Sequence, residues 1–377
     1  MDIVNKYFKE NHKNITFLEL KDSALVKIKN FTINKDLPLP IITDNLIEEI
    51  YQGNLENEIN LSQIIDGIIY LLGVDSDFPN LDRYVEILNS YNPNINAYIY
   101  NVAIKKISEG DIEFGGIFLR ALIYLDSKNL NVRFNYALVL EEMGRKYIES
   151  NDEKGEEFLT ASTNELESIV EMDEKYSLAY YKLGFHHKYF EQYIKAKLTW
   201  NKFLTVDKDE NRLQEIREEI DLIDDNVKFE TGLTYLTYNE FGKALDSFLK
   251  LLSRYGDEWN VLYLLAMCYK GLSESDKAIE YLHKAIEIND EEPDLYNELG
   301  IINFLDGKII EAIGIFNEGI EKTDHDYKLY FNRGLGYIQL GEYNLALKDV
   351  KMAYELNPKD ENVVNQLKEL EDLMSSI

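Results

Sequence analysis

Small residues recur every 34 positions in the second half of this chain, and that spacing restricts the possible folds more than any other feature. Gly232, Ala266, Gly300 and Gly334 form one column, and Ala244, Ala278, Ala312 and Ala346 form a second. A third, looser column reads Leu251, Ala285, Gly319 and Ala353, while Tyr235, Tyr269, Asn303 and Tyr337 fall between the first two. Bulky residues follow in register at Phe248, Leu282, Phe316 and Val350. Within each row, apolar residues at i, i+3, i+4 and i+7 define two short amphipathic helices separated by a turn such as Leu340 to Tyr343. If the two helices pack antiparallel, a Gly or Ala at the crossing brings their axes to the ~8 to 10 Å of close helix packing. One such hairpin cannot bury its apolar face alone, so the rows must stack.

The register continues upstream in weaker copies. Ser177 to Glu210 carries Tyr180, Gly184, Ala196, Trp200 and Phe203 in the equivalent columns, and Asn96 to Asn129 carries Ala103, Gly110, Gly115 and Leu119. The row between them has Ala137 in register, then about 13 extra residues before its second helix resumes around Leu159. This predicts lengthened helices meeting at a polar turn near Asn151 to Gly155. From Gly184 to Gly232 is 48 residues, and the surplus holds KDENRLQEIREEIDLIDD from Lys208, which matches KDENVVNQLKELEDLM from Lys359. Both read as capping or bridging helices. The expected organisation is an N-terminal segment over 1–95, a first block of three repeats over 96–210 and a linking helix over 211–224. A second block of four repeats over 225–360 and a capping helix over 361–377 follow.

Spacing and pattern together resemble the tetratricopeptide-repeat family. In the last row Tyr330, Gly334, Tyr337, Gly341, Tyr343, Ala346, Ala353 and Pro358 sit where that family places such residues, and the other rows keep most of these but lose the closing proline. The resemblance implies an all-α fold, an α-solenoid of about seven hairpins, with a small N-terminal segment of a possible β-hairpin plus helices. It also implies that the first helix of each repeat lines a concave face. Carried onto the second block, the lining is Phe229, Leu233, Leu236, Tyr263, Leu264, Met267, Lys270, Asn297, Ile301, Phe304, Phe331, Asn332, Leu335 and Ile338. In the first block it is Tyr100, Asn101, Ile104, Phe134, Asn135, Leu138, Tyr181, Lys182 and Phe185. Family members that grip a C-terminal carboxylate use Lys, Arg and Asn at several of these places. Here the basic positions are few, Lys182, Lys270 and Lys328 with Arg333 beside them, so the wall reads as apolar and aromatic. Asn297 and Asn332 are expected to meet a ligand's backbone amides, and the groove suits an extended apolar segment or an amphipathic helix.

Composition narrows the partners. Lys and Arg number 40 against 69 Asp and Glu, a formal charge of -29, which repels nucleic acid and anionic bilayers and favours a basic or amphipathic protein. The expectation is a protein or peptide partner, no nucleic acid and no membrane. Cys268 is the single cysteine, so no intrachain disulfide forms, and its apolar helix predicts a buried, inert thiol. The N-terminus has acid and lysine in place of an apolar signal core, and IIDGIIYLLGV falls short of the ~20 residues that span a bilayer. A cytoplasmic, acidic protein is expected.

Residues 1–95 do not follow the period, and their first forty hold seven Lys against five Asp and Glu. β-Branched and alternating residues in ITFLELKDSALVKIKNFTI predict a hairpin over 15–33 turning near Asp22, with LPLPI as a break and helices beginning near Thr43, Leu61 and Asn80. A cap for the repeats is the plain reading of this segment. No GxxxxGK, GxSxG or HExxH occurs, and His186 and His187 point to different sides of a helix, which predicts one packing and one surface histidine. Asp75 and Asp77 lack the glycine and closing glutamate of a calcium loop and read as a turn. No catalytic, cofactor or metal residue is nominated. The chain reads as a non-enzymatic interaction scaffold, with a peptide-sensing regulator as the alternative and an enzyme site within residues 1–95 as the remote third.

Overall fold

Seven residues after each small residue of the first column, the chain turns through left-handed backbone. In the computed structural model, which describes residues 3–20, 26–28, 31–33, 35–51, 60–150, 153–323 and 325–376, φ is positive at Gly110, Glu191, Asn239, Ser273, Gly307 and Gly341. These residues occupy one repeat position. A left-handed residue stops one helix and lets the next fold back antiparallel within a few residues, so the period of small residues is also a period of turns.

The backbone divides into two compact units, Met1–Glu218 and Glu219–Ile377. The first opens with α1 (Ile3–Glu10), a short 3-10 turn and strand β1 (Ile15–Leu18). Strands β2 (Val26–Ile28), β3 (Phe31–Ile33) and β4 (Leu39–Ile42) and helices α2 (Thr43–Tyr51), α3 (Leu61–Val74) and α4 (Leu81–Tyr91) follow. Three hairpins come next: α5 (Ile95–Ser108) with α6 (Ile112–Leu125), α7 (Leu130–Glu149) with α8 (Lys154–Met172), and α9 (Ser177–Tyr189) with α10 (Tyr193–Val206). Helix α11 (Glu210–Leu222) contains the division. The second unit has α12 (Asp224–Thr237), α13 (Phe241–Leu249), the single turn α14 (Leu252–Tyr255), α15 (Trp259–Gly271) and α16 (Ser275–Ile288). It ends with α17 (Pro293–Leu305), α18 (Ile309–Lys322), α19 (Tyr327–Gln339), α20 (Tyr343–Leu356) and α21 (Glu361–Ser376). Among the described residues no helix is long and apolar enough to cross a membrane.

Inside each hairpin the small residue of the first helix faces the bulky residue sixteen positions on, and their sizes compensate. A Cβ added at Gly184 would lie 2.0 Å from Trp200 Nε1, and one at Gly300 would lie 2.2 Å from Phe316 Cε1. Gly232 meets Phe248 in the same way. Where the bulky partner is aliphatic the crossing is less crowded: a Cβ at Gly334 would be 3.0 Å from Val350, and row two holds Ala266 with Leu282, both fully buried. Close-packed interiors leave no other solution at a helix crossing.

The N-terminal pairing differs from the hairpin expected over 15–33. Asp22 lies outside the described residues. Strand β1 pairs antiparallel with β4, Ile15 opposite Ile42 and Leu18 opposite Leu39, while β2 and β3 form their own short pair. The LPLPI stretch is therefore a break only through Leu37 and Pro38 and enters strand β4 at Leu39. All four β4 residues are buried, and Pro40 is tolerated because a two-stranded ladder is all edge. This segment shares one core with the first repeats, running from Val4 and Phe8 through Ile65 and Leu71 to Phe158. Arg120 ties it down: its guanidinium donates to Gly73 O at 2.8 Å, to the Tyr136 hydroxyl at 2.9 Å and to Asn5 Oδ1 at 2.8 Å, and lies 4.6 Å from the Phe8 ring centroid.

The second row of the first unit has the lengthened helices expected, but α8 begins at Lys154, five residues before Leu159. Gly155 then falls inside its first turn against Gly144 of α7, where a Cβ would be 3.0 Å from the Gly144 carbonyl oxygen. Of the predicted polar turn, Asn151 and Asp152 lie outside the described residues.

Candidate functional site

The first helices of the second unit carry their expected lining residues half in and half out of the core. Phe229, Leu236, Tyr263, Leu264 and Met267 pack against the core of the first two hairpins while keeping partial exposure, and Leu233 is exposed. Ile301 and Phe304 pack likewise against the cluster that holds Phe316, and Phe331 and Ile338 against the one that holds Val350, with Leu335 half-buried. The Phe229 and Phe248 rings meet edge to face, with centroids 5.9 Å apart. Burial, and then the charges of Glu298, Asp294 and Glu292, push the Tyr263 hydroxyl up to about 12. It therefore stays protonated, a donor at neutral pH.

Polar groups on the same helices bind one another across successive rows. Asn332 Nδ2 donates to Asn297 Oδ1 at 2.7 Å, and Asn297 is buried, so the two carboxamides expected to meet a ligand are joined to each other. Lys328 Nζ bonds Asp294 at 2.9 Å, and Lys270 bonds Glu298. Arg333 forks onto Asp349, with Nε and Nη2 each 2.7 Å from a carboxylate oxygen, and donates from Nη1 to Asn317 at 2.6 Å. The cations available for a carboxylate ligand in this unit are thus held by internal acids, which weakens any anionic tail clamp.

In the first unit the lining splits in two. Asn135 donates to the Tyr100 hydroxyl at 3.3 Å, and the Tyr176 hydroxyl, set against Phe134, donates to Asn131 at 3.1 Å. Tyr100 bounds a cavity of about 280 Å³ with Asn96, Asp126, Asn129 and Asn131. Ile104, Asn135 and Leu138 meet around a second of about 250 Å³, completed by Ile107, Ile112 and Glu142. Asn101 is exposed. Tyr181 and Phe185 stand apart from these cavities, joined edge-on and tilted into an aromatic run with Phe203 and Trp200 at centroid distances of 5.1 to 5.6 Å.

Lys182 belongs to a buried cluster that periodicity alone did not reveal. Its Nζ lies 2.9 Å from Glu141 Oε2, Arg145 pairs with the other oxygen, and His186 Nε2 is 3.7 Å away. Thr163 Oγ1 donates to Leu159 O at 2.8 Å, so it accepts from His186 Nδ1 at 2.9 Å, which assigns the proton to Nδ1. Burial opposes ionisation of Glu141, but His186 and Lys182 outweigh it and hold the carboxyl down at about 2. The signal available in the sequence was a glutamate in the middle of an apolar helix face. One of the two adjacent histidines is expected at the surface, yet His186 and His187 are both buried, and burial of His187 with Lys195 and His186 nearby lowers it to about 4. Asp75 caps its own turn at Asp77 N and pairs with Lys9, and among the described residues no cluster could hold a metal ion. Cys268 is fully buried, and burial pushes its thiol up to about 12.

A family model described as "Tetratricopeptide repeat" matches residues 260–292 and 327–360. "BBSome complex member BBS4" of Bos taurus is 33% identical over 102 residues, 27% of this chain and 19% of the relative. "Hsp70-Hsp90 organizing protein" of Triticum aestivum is 29% identical over 130 residues, 34% and 21% of the two chains. The chain thus spans about a fifth of the length of the curated relatives it matches. A solved structure titled "Crystal structure of YrrB: a TPR protein with an unusual peptide-binding site" is 18% identical over 54% of this chain and 97% of that one, with a TM-score of 0.38.

Proposed function

We propose that this chain, a tetratricopeptide-repeat protein, is an interaction scaffold that holds an apolar segment of a partner protein against the first helices of its repeats. The observation that carries the reading is the half-burial of Phe229, Tyr263, Ile301, Phe304 and Phe331, residues whose inner edge is fixed by core packing while the outer edge faces solvent. Rigid aromatic groups lose little entropy on binding and bury much area, the usual character of interface anchors. Pairing of Lys270, Lys328 and Arg333 with internal acids favours apolar side chains over a terminal carboxylate as the recognised feature. The relatives named for the BBSome and for Hsp70-Hsp90 organisation support an adaptor role of this general kind.

Selection from a displayed library of random twelve-residue peptides tests this. Enriched peptides should be rich in Leu, Ile, Phe and Trp, bind equally as C-terminal acids or amides, and lose binding to Tyr263→Glu/Phe331→Glu. Recovery of peptides that need a free carboxylate, or binding unchanged by the double variant, would overturn the groove assignment.

A further inference from the structure

The turns within the repeats of the second unit carry large apolar residues that the core does not use. Tyr238, Leu272, Leu305, Ile310 and Leu340 are 72%, 39%, 72%, 73% and 46% exposed. They fall within three residues of the left-handed Asn239, Ser273, Gly307 and Gly341, so every hairpin of this unit contributes an apolar residue at its turn. The first three turns touch in sequence. Phe241 of the first turn lies against Gly271 of the second, where a Cβ would be 2.3 Å from its ring, and Ser275 of the second donates to Asp306 of the third at 3.2 Å. Single exposed apolar residues need no explanation, but an aligned row does.

Charge selects the occupant. Lys243 and Lys277 are clipped to Glu240 and Glu274 and lie over the Tyr235 and Tyr269 rings, and Lys308 sits 3.9 Å from Asp306. Asp276, Glu311 and Glu342 stand exposed on the same turns. The edge is therefore apolar and net acidic, in a chain of formal charge -29. A second copy would set acid against acid, and an anionic bilayer would be repelled. We propose that this edge docks an amphipathic helix of another protein, with basic residues beside its apolar stripe. Neighbouring hairpins stand about 10 Å apart and a helix rises about 1.5 Å per residue, so the partner meets successive turns with an apolar residue about every seventh place. This surface is separate from the first-helix face of the proposed function and can succeed or fail independently of it.

The test uses the full chain and a fluorescein-labelled synthetic helix of about 22 residues, with Leu at each seventh place and Lys on both flanks, read by anisotropy. Binding should weaken about tenfold or more for Leu305→Ser/Ile310→Ser and for Tyr238→Ser/Leu340→Ser, at unchanged thermal midpoint, and survive Tyr263→Glu/Phe331→Glu. Absence of binding overturns the proposal. So does equal binding of a shuffled peptide of the same composition, of one with Glu flanks, or to the edge variants. Sedimentation showing a dimer that Leu305→Ser/Ile310→Ser dissolves would assign the edge to a second copy and overturn it as well.

Discussion

Adding one methyl group at Gly300 should destabilise the second unit, although the same change in an exposed helix would stabilise it. In a helix interior Ala is favoured over Gly by about 1 kcal/mol. Against this, the new Cβ would sit 2.2 Å from Cε1 of Phe316, a ring that is fully buried. Ordinary contact needs more than an ångström of further separation, and the ring has no free volume to take it up. Overpacking costs about 1 to 3 kcal/mol, and an approach this close to a buried ring falls in the upper half of that range, which leaves Gly300→Ala a net ~1 to 2 kcal/mol less stable. At Gly334 the nearest side-chain atom, Val350 Cγ2, would be 3.0 Å away, a tight contact that a small shift of Val350 relieves, so Gly334→Ala should stay within about 1 kcal/mol of the parent and well above Gly300→Ala. The double variant Gly300→Ala/Phe316→Leu recreates the Ala266 and Leu282 pair of row two and should recover most of the loss. With two tryptophans in the chain, Trp259 fluorescence during urea unfolding reports on the second unit. Gly300→Ala as stable as the parent, or no rescue by Phe316→Leu, would refute the size-compensation rule.

Three further outcomes are expected. Ser273, at φ 62°, should gain about 0.5 to 1 kcal/mol on replacement by Gly, because only Gly enters that region without steric cost; the urea midpoint followed at Trp259 checks it. Glu141→Gln should destabilise the first unit by about 3 kcal/mol or more, since Lys182 and Arg145 keep their charge while losing their partner. The Glu141 carboxyl is held below its ordinary 4.5, so the parent's advantage is complete above pH 4.5 and vanishes as the pH falls toward 2; Trp200 fluorescence at several pH values measures it. A chain ending at Lys359 loses α21, whose Val363 and Leu370 are buried with Ala353 and Tyr330, and hydrogen exchange should then show α19 and α20 opening before α15 and α16.

Legibility tracks how local the determining contacts are. The columns of Gly232, Ala266, Gly300 and Gly334 and of Phe248, Leu282, Phe316 and Val350 lie sixteen residues apart within a hairpin, so the chain's own spacing shows which faces must meet. The inner packing of Phe229, Tyr263 and Phe331 follows from the same helical period. Other features depend on partners that spacing does not mark. The join between Asn297 and Asn332, the capture of Lys328 by Asp294 and the burial of His187 each depend on a neighbouring helix and its depth in the fold. At the N-terminus, strand propensity marked 15–18 correctly as extended, but its mate is 39–42, beyond a nearer candidate.

By itself, then, the sequence determined helical hairpins, their antiparallel register and the need to stack, because small-against-large packing every 34 residues admits few other arrangements. Only the tertiary structure decided which charges and amides remain free to meet a partner, and which apolar residues stay outside. Those outcomes depend on distances between rows, where a few ångströms separate an ion pair from a solvated cation and a buried ring from an exposed one.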